Sequence, residues 1–494
     1  MIRKFLTLIV LLTLLILVSI TKASPTLTLT VMTDKQTYSS GETAKINGTV
    51  TADGSPVPDA VVAIQIDNTT SAEPYLFRSL PTSAGYTGKY PVEIIEVTAP
   101  ISVKQGEVAS FSVKLRNNDE IEHYVTVIPY FQMNLKPLPI DIIPPACEGP
   151  IAPGVAYNQT FGKTTVGAAS GTINGDTKFA SCFYLGIPQT YHANVTKISW
   201  RGYSGSQAKA RAIIYSANQT DGTPLQLVGV SQETTLSTIT QWWNFTFDPP
   251  VMLSRGYHWL GLISEPTTLY YRFDYAYVPE INASAFAYNS NLYSDGPSNP
   301  FGTPTYLNRS ISIYATYDLI QDCGMEASFP RYIPENAPTG TATMYVSALI
   351  GSYPNCLPRN GGAAYCPDKQ VSFTIISKTG TGNLNQLMSP TAELTSQEGY
   401  YELLFQPSPG NFTLYASCYY RGETATATLT FQVILIGDVN GDGKVDGKDL
   451  AIASKAFGTK PGDPLWDPRA DVNQDNKIDG KDIAIISKNF GQTG

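Results

Sequence analysis

Two stretches near the C-terminus set oxygen-bearing side chains at alternating positions, in the same order twice. Asp438-Val-Asn440-Gly-Asp442-Gly443-Lys444-Val445-Asp446-Gly-Lys-Asp449 recurs as Asp471-Val-Asn473-Gln-Asp475-Asn476-Lys477-Ile478-Asp479-Gly-Lys-Asp482. A hard cation such as Ca2+ takes six to eight oxygens, and a twelve-residue loop offers them from positions 1, 3, 5, 7, 9 and 12. In the first copy these are Asp438, Asn440, Asp442, the Lys444 backbone carbonyl, Asp446 (directly or through water) and Asp449. In the second they are Asp471, Asn473, Asp475, the Lys477 carbonyl, Asp479 and Asp482. Position 6 turns with positive φ, which Gly443 adopts freely and Asn476 tolerates. An acidic solvated turn would explain one such loop. Agreement of two copies at every ligand position points to two bound Ca2+ ions, one per loop.

The loops need elements to hold them. After each comes a short amphipathic stretch, Leu450 to Phe457 and Ile483 to Phe490, closed by Gly458 and Gly491, and the spacing of the apolar residues predicts a helix. The pattern predicts no helix before either loop, so the unit is loop-helix. Val445 and Ile478, at position 8, are expected to pack between the paired loops. This doublet, with its Trp466-Asp467-Pro468 connector, resembles a type I dockerin over residues 437–494. The resemblance implies a cohesin-bearing partner, read by Gly447, Lys448, Ser454, Lys455 and Thr459, and in the second copy by Gly480, Lys481, Ser487, Lys488 and Gln492. Four of these five agree between copies, which implies docking in either of two orientations. Gly-Lys at positions 10 and 11 departs from the family's small hydroxyl pair and leaves the cohesin type open.

The N-terminus carries Arg3 and Lys4, an apolar run from Phe5 to Ile20, and Thr21-Lys22-Ala23. That order predicts a signal peptide over residues 1–23, with an uncleaved membrane anchor as the alternative. Either places the body of the chain outside the cytoplasm, secreted or at the cell surface. Exported chains can form disulfides, and Cys356 with Cys366 and Cys147 with Cys323 are the candidate pairs; Cys182 and Cys418 read as free buried thiols. Sequons at Asn47, Asn68, Asn158, Asn194, Asn218, Asn244, Asn282, Asn308 and Asn411 would be useful only on such an exported surface.

Between these ends the composition suits β-sandwiches: charged residues are 15%, with 30 Tyr, 40 Gly and 35 Pro. A net charge of −8 gives no reason to expect nucleic acid as a partner. From Pro25 to about Leu80 short runs of period two alternate with turns, which predicts antiparallel strands. Asp34-Lys35-x-x-Tyr38-x-x-Gly41-Glu42 and Gly54-Ser-Pro-Val-Pro-Asp59-Ala resemble macroglobulin-like and related immunoglobulin-like modules. Only about four strands precede Gly85, too few to close a sandwich. Phe111, Val113 and Leu115, the turn Asn117-Asn118-Asp119 and the run Tyr124 to Ile128 resemble the first half of an adhesion-type module of the CARDB kind. Its second half is read at Ala337 to Ile376. The intervening block resembles a jelly-roll sandwich, through Trp243-Asn-Phe-Thr-Phe247, Gly256-x-x-Trp259 and Tyr293-Ser-Asp-Gly-Pro-Ser-Asn-Pro-Phe-Gly-Thr-Pro.

The expected fold class is therefore mainly β: immunoglobulin-like sandwiches, an inserted jelly-roll-like sandwich, and a small α dockerin. Nested insertion is the expected organisation, with residues 25–80 joined to 380–436, 89–156 joined to 320–376, 157–319 as the jelly roll, and 437–494 as the dockerin. Four tandem, uninterrupted domains are the alternative.

No catalytic pattern emerges. His123, His192 and His258 are scattered, with neither a His-Glu-x-x-His helix nor a Gly-x-Ser-x-Gly elbow. The reading is a non-catalytic exported protein that docks to a cohesin in a calcium-dependent way. The alternative is a polysaccharide-binding component of a cellulosome-like, polysaccharide-degrading assembly. Along Tyr270-Tyr271-Arg272-Phe273-Asp274-Tyr275-Ala276-Tyr277, period two sets Tyr270, Arg272 and Asp274 on one face as candidate glycan ligands. Tyr271, Phe273, Tyr275 and Tyr277 take the other face as expected core.

Overall fold

The computed structural model describes residues 25–58, 60–69, 74–82, 90–138, 140, 145–278, 283–378, 399–420 and 423–493. The stretch expected to be a signal peptide, residues 1–23, lies outside them, as does Gly85. Among the described residues no helix is long and apolar enough to cross a membrane.

Strands from the two ends of the β region share sheets. Ala44–Ala52 is flanked by Leu27–Leu29 and by Tyr400–Phe405, with Ile46 opposite Leu403 and Ala44 opposite Phe405. In the facing sheet Gly410–Tyr420 lies between Val61–Asn68 and Glu423–Ile434, with Ile64 opposite Ala416. Period two then sends Ile46, Leu403, Phe405, Ile64, Ile66 and Leu414 into one core. The Asp34-to-Glu42 phrase is a turn clasp. Tyr38 Oη donates to Asp34 Oδ1 at 2.5 Å, and Glu42 Oε2 accepts from Ser39 N at 2.9 Å. Gly41, at φ 86°, takes the left-handed residue that the turn requires.

A second pair of sheets brings Val92–Thr98, Val108–Asn117 and Met325–Tyr332 against His123–Met133, Gly340–Ile350 and Ala364–Ile376. Phe111, Phe131, Phe329 and Phe373 meet at its centre. The chain between Val155 and Gln321 builds a third pair, two seven-stranded sheets. One contains Tyr191–Ser204, Gln241–Leu253, Thr268–Tyr275 and Ile313–Gln321; the other contains Thr177–Leu185, Ala208–Ala217, Gly256–Ser264 and Phe286–Ser290. Trp200, Phe245, Leu260 and Phe286 fill the space between them.

The first two sheet pairs are joined by a buried apolar seam of Val61, Phe77, Ile128, Leu349 and Leu357. An ion pair, Arg78 with Asp368, sits beside it.

The candidate disulfides are not formed, and all six cysteines are free thiols. Cys356 lies in the seam with Val61 and Phe77, whereas Cys366 lies in the core with Phe111, so proximity in sequence does not bring the two together. Cys147 Sγ donates to Met325 Sδ at 3.7 Å, and Cys323 Sγ donates to the Met325 carbonyl at 3.5 Å. Cys182 and Cys418 are buried, which pushes both thiols up to about 12.

Candidate calcium-loop pair

Helices follow both loops, Gly447–Lys455 and Gly480–Lys488. Each begins three residues before the expected start, inside the loop, because position 9 caps it. Asp446 Oδ1 accepts from Lys448 N at 2.8 Å, and Asp479 Oδ1 accepts from Lys481 N at 2.8 Å. The reciprocal bonds come from position 12: Asp449 Oδ2 accepts from Asp446 N, and Asp482 Oδ2 from Asp479 N, both at 2.8 Å. These are capping boxes built with Asp at N3. Residues after the helices turn at Gly458 and Gly491, both at φ 84°.

The carboxylates at loop positions 1 and 12 tie each loop into a ring. Asp438 Oδ1 accepts from Gly441 N at 2.8 Å and Asp442 N at 3.1 Å, and its Oδ2 accepts from Gly443 N at 2.8 Å. Asp471 repeats this toward Asp475 N at 3.1 Å and Asn476 N at 2.9 Å. Asp449 and Asp482 are fully buried, and Asp449 Oδ1 also accepts from Val439 N and Asn440 N. Asn440 Oδ1 accepts from Asp442 N at 2.8 Å, and Asn473 Oδ1 from Asp475 N at 2.9 Å. Position 6 is left-handed in both copies, Gly443 at φ 80° and Asn476 at φ 62°.

The donor set fits a hard cation. Each loop carries carboxylate and amide oxygens at calcium-loop spacing, and Asp438 and Asp449 each keep one carboxylate oxygen with a single N–H partner and a lone pair to spare. Among the described residues no three His, Cys, Asp or Glu side chains form a preassembled cluster. The Lys448 ammonium beside Asp442 holds that carboxyl below its usual range.

The two loops are clasped to one another's helices. Val445 N donates to Gln492 O at 2.9 Å, and Gly491 N returns to Val445 O at 2.8 Å. The mirror bonds are Gly458 N to Ile478 O at 2.8 Å and Ile478 N to Thr459 O at 3.0 Å. Val445 and Ile478 are fully buried between the halves, with Ala453 and Ile486. A family model for the dockerin type I domain matches residues 436–491.

Residues 436–491 are a type I dockerin domain. Type I dockerins bind calcium and dock to cohesin-bearing partners, and dockerin proteins are typically extracellular or at the cell surface. In this dockerin Gly447, Lys448, Ser454 and Lys455 are exposed, as are Gly480, Lys481, Ser487, Lys488 and Gln492; Thr459 is half-buried and donates to the Ala456 carbonyl. The dockerin starts abruptly: strand Glu423–Ile434 ends one residue before Leu435, which is already buried in the dockerin core.

No curated protein matches the chain. Among solved structures, it is similar to a Salmonella alpha-2-macroglobulin reacted with methylamine, at 9% identity and a TM-score of 0.12, over 84% of this chain and 40% of that one. Native and trypsin-activated E. coli alpha-2-macroglobulins follow, at 8% and 9% identity and TM-scores of 0.11, over 84% and 83% of this chain and 40% and 41% of theirs. The chain thus spans about two fifths of those proteins' length. Likeness this slight bears on neither activity nor substrate.

The candidate glycan ligands divide. Tyr271 and Phe273 are buried in the jelly-roll core, and Tyr270, Arg272 and Asp274 share the other face. Arg272 is spent on its neighbours, donating to Gly167 O at 3.0 Å, Ala168 O at 3.1 Å and Ser170 Oγ. Asp274 pairs with Lys163 and accepts from Ala168 N at 2.8 Å. Only Tyr270 is left to meet a ligand, stacked at 4.5 Å on Tyr203. The strand ends at Tyr275, which is 81% exposed against the expectation that it is core; the Tyr277 side chain lies outside the described residues.

Proposed function

We propose that this chain is an exported, non-catalytic β scaffold that docks to a cohesin through a dockerin ordered by two Ca2+ ions. The observation that carries the reading is the doubled ring of bonds from Asp438 and Asp449, and from Asp471 and Asp482, which holds two loops of hard oxygen donors in one register. The twelve loop positions named from the sequence are the proposed ligands. Eight loop carboxylates repel one another, and calcium offsets that repulsion where it sets the helices, so folding of the dockerin and docking are coupled to the metal. The exposed Gly-Lys and Ser-Lys pairs, with Thr459 and Gln492, form two equivalent docking faces.

The strand pairing also supports nested organisation: residues 25–80 with 380–436, enclosing 89–156 with 320–376, which enclose the jelly roll of 157–319. In that arrangement the stacked sandwiches act as a rigid spacer between the dockerin and the jelly roll.

Capture tests docking. The full chain, immobilised and offered the extracellular fraction of its host with calcium, is expected to retain a cohesin-bearing protein and to release it to chelator. Replacing Asp438 and Asp471 together by Ala should abolish retention. Docking that survives the double replacement would sink the mechanism.

A second reading, polysaccharide binding by the jelly roll, is favoured by one observation: the outward face of the sheet containing Tyr191–Ser204 carries two pairs of touching aromatic rings.

A further inference from the structure

The strand Tyr191–Ser204 runs through the middle of its sheet, and alternate side chains face opposite ways. Ile198 and Trp200 enter the jelly-roll core; Lys197, Ser199, Arg201 and Tyr203 face outward. Trp242 lies opposite Arg201 on one flank, and Tyr314 lies opposite Ser199 on the other. Their rings reach across the strand and meet edge to face, centroids 5.1 Å apart. Two residues further along, about 7 Å at the usual strand rise, Tyr203 and Tyr270 stack in parallel at 4.5 Å with 2° between their planes. All four rings are half-buried, so each keeps some surface open to solvent.

Arg201 stands between these two ring pairs. Among the described residues it has no carboxylate partner, and its Nε is buried without a hydrogen-bond partner. The contrast with Arg272 and Lys163 on the same sheet is informative, because both of those are satisfied within the fold. Lys197, two rows from Arg201, likewise has no ion-pair partner among the described residues. A cation kept half-buried between aromatic rings with nothing to neutralise it is costly unless an anion from outside completes it.

We propose that this face binds a carboxylated glycan, with a hexuronate ring on the Trp242–Tyr314 ledge and its carboxylate on the Arg201 guanidinium. The chemistry matches on both counts. A pyranose presents a flat C–H face to an aromatic ring, and a guanidinium presents a planar fork to a carboxylate. Lys197 receives the carboxylate of a neighbouring residue along the chain. Nucleic acid fits less well, since strands that carry a phosphate on every nucleotide are held by many cations and this face offers two. The inference deepens the polysaccharide reading and is independent of docking.

Affinity electrophoresis of the full chain in native gels tests it, with polygalacturonate, alginate or neutral xylan cast into the matrix. The net charge of −8 opposes non-specific retention by a polyanion, so retardation there reports a specific site. The expected result is retardation by at least one of the acidic polymers and none by xylan. Arg201→Gln should weaken it about tenfold or more, as expected when a charge-assisted hydrogen bond is lost, and Trp242→Ala should abolish it. Lys197→Gln, a change at the surface, should weaken it less and serves if Arg201→Gln unfolds, with thermal melting checking the fold of each variant. Retardation should persist in chelator, and cohesin capture by the same preparation reports docking separately. The inference is overturned by mobility unchanged in both acidic gels, by equal retardation of wild type and the Arg201 and Lys197 variants, by preferential retention on xylan, or by a single-stranded oligonucleotide displacing the polymer.

Discussion

Arg78 Nε lies 2.6 Å from Asp368 Oδ2, joining a strand of the first sheet pair to a strand of the second. The guanidinium also covers the Tyr345 ring at 3.7 Å, and the Asp368 carboxylate accepts from Ser79 N at 3.0 Å and from Ser347 Oγ. Asp368 is almost wholly buried, so removing its partner leaves a charge with no water to turn to. Arg78→Met is expected to destabilise the chain by about 3–5 kcal/mol, in line with breaking one side of a buried ion pair. Asp368→Leu added to it should recover part of that loss. A melt in which the single variant matches wild type would show that the pair does not tie the two sandwiches.

The first sheets are completed from far along the chain. Ala44–Ala52 relies on Tyr400–Phe405, and Val61–Asn68 on Gly410–Tyr420. A fragment of residues 25–82 therefore lacks an edge for each central strand and most of one face of its core. It is expected to give the amide spectrum of an unfolded chain, whereas residues 25–82 mixed with 399–436 should recover dispersed resonances. Dispersed resonances from the short fragment alone would favour tandem domains.

What the sequence makes legible follows from how local each cause is. The paired loops are spelled by oxygen-bearing side chains within twelve residues, so register, turn residues and the buried positions 8 are all readable, while the earlier helix start is hidden because Asp446 and Asp479 serve both as loop and as cap. Alternation identifies Tyr270, Arg272 and Asp274 as one face. It does not show that Arg272 and Asp274 are spent on the segment around Gly167 and Ala168, a hundred residues earlier. Arg201 escapes notice for the same reason: its setting depends on Trp242 and Tyr314, which reach it only through sheet register. The cysteines fail differently, since nearness along the chain fixes no side-chain direction, and Cys356 and Cys366 enter different cores.

Lys178 is buried in the jelly roll, donating to Asn291 Oδ1 at 3.0 Å and to Ser298 Oγ, with the Phe301 ring 4.9 Å away. Burial pushes its ammonium down to about 8, while in an unfolded chain lysine titrates near ~10.4. Between those values the unfolded state binds more protons than the folded one, so stability should rise with pH from about 8 to about 10.4. Below pH 8 both states are protonated and this contribution is flat. Lys178→Met should remove the rise and cost little at neutral pH, because Asn291 Oδ1 still accepts from Ser298 N at 2.8 Å. Denaturant midpoints at pH 7, 8, 9 and 10 for both proteins decide the matter; parallel curves would show that Lys178 does not titrate in this window.

Lys448 Nζ lies 3.0 Å from Asp442 Oδ2, and Lys481 repeats the contact with Asp475 at 3.3 Å. Each lysine sits at loop position 11 and pairs with the carboxylate at position 5, so its ammonium competes with a bound cation for a proposed ligand. Both lysines are exposed and are also among the residues proposed to meet the cohesin. Replacing Lys448 and Lys481 together by Met should therefore shift two properties in opposite directions. Calcium should bind about two- to fivefold more tightly, a modest gain because exposed ion pairs are weak, while cohesin capture at saturating calcium should fall. Isothermal titration with calcium, paired with capture by the same variant, separates the effects. If calcium affinity and capture fell together, the lysines would be supporting the loops and not competing with the ion.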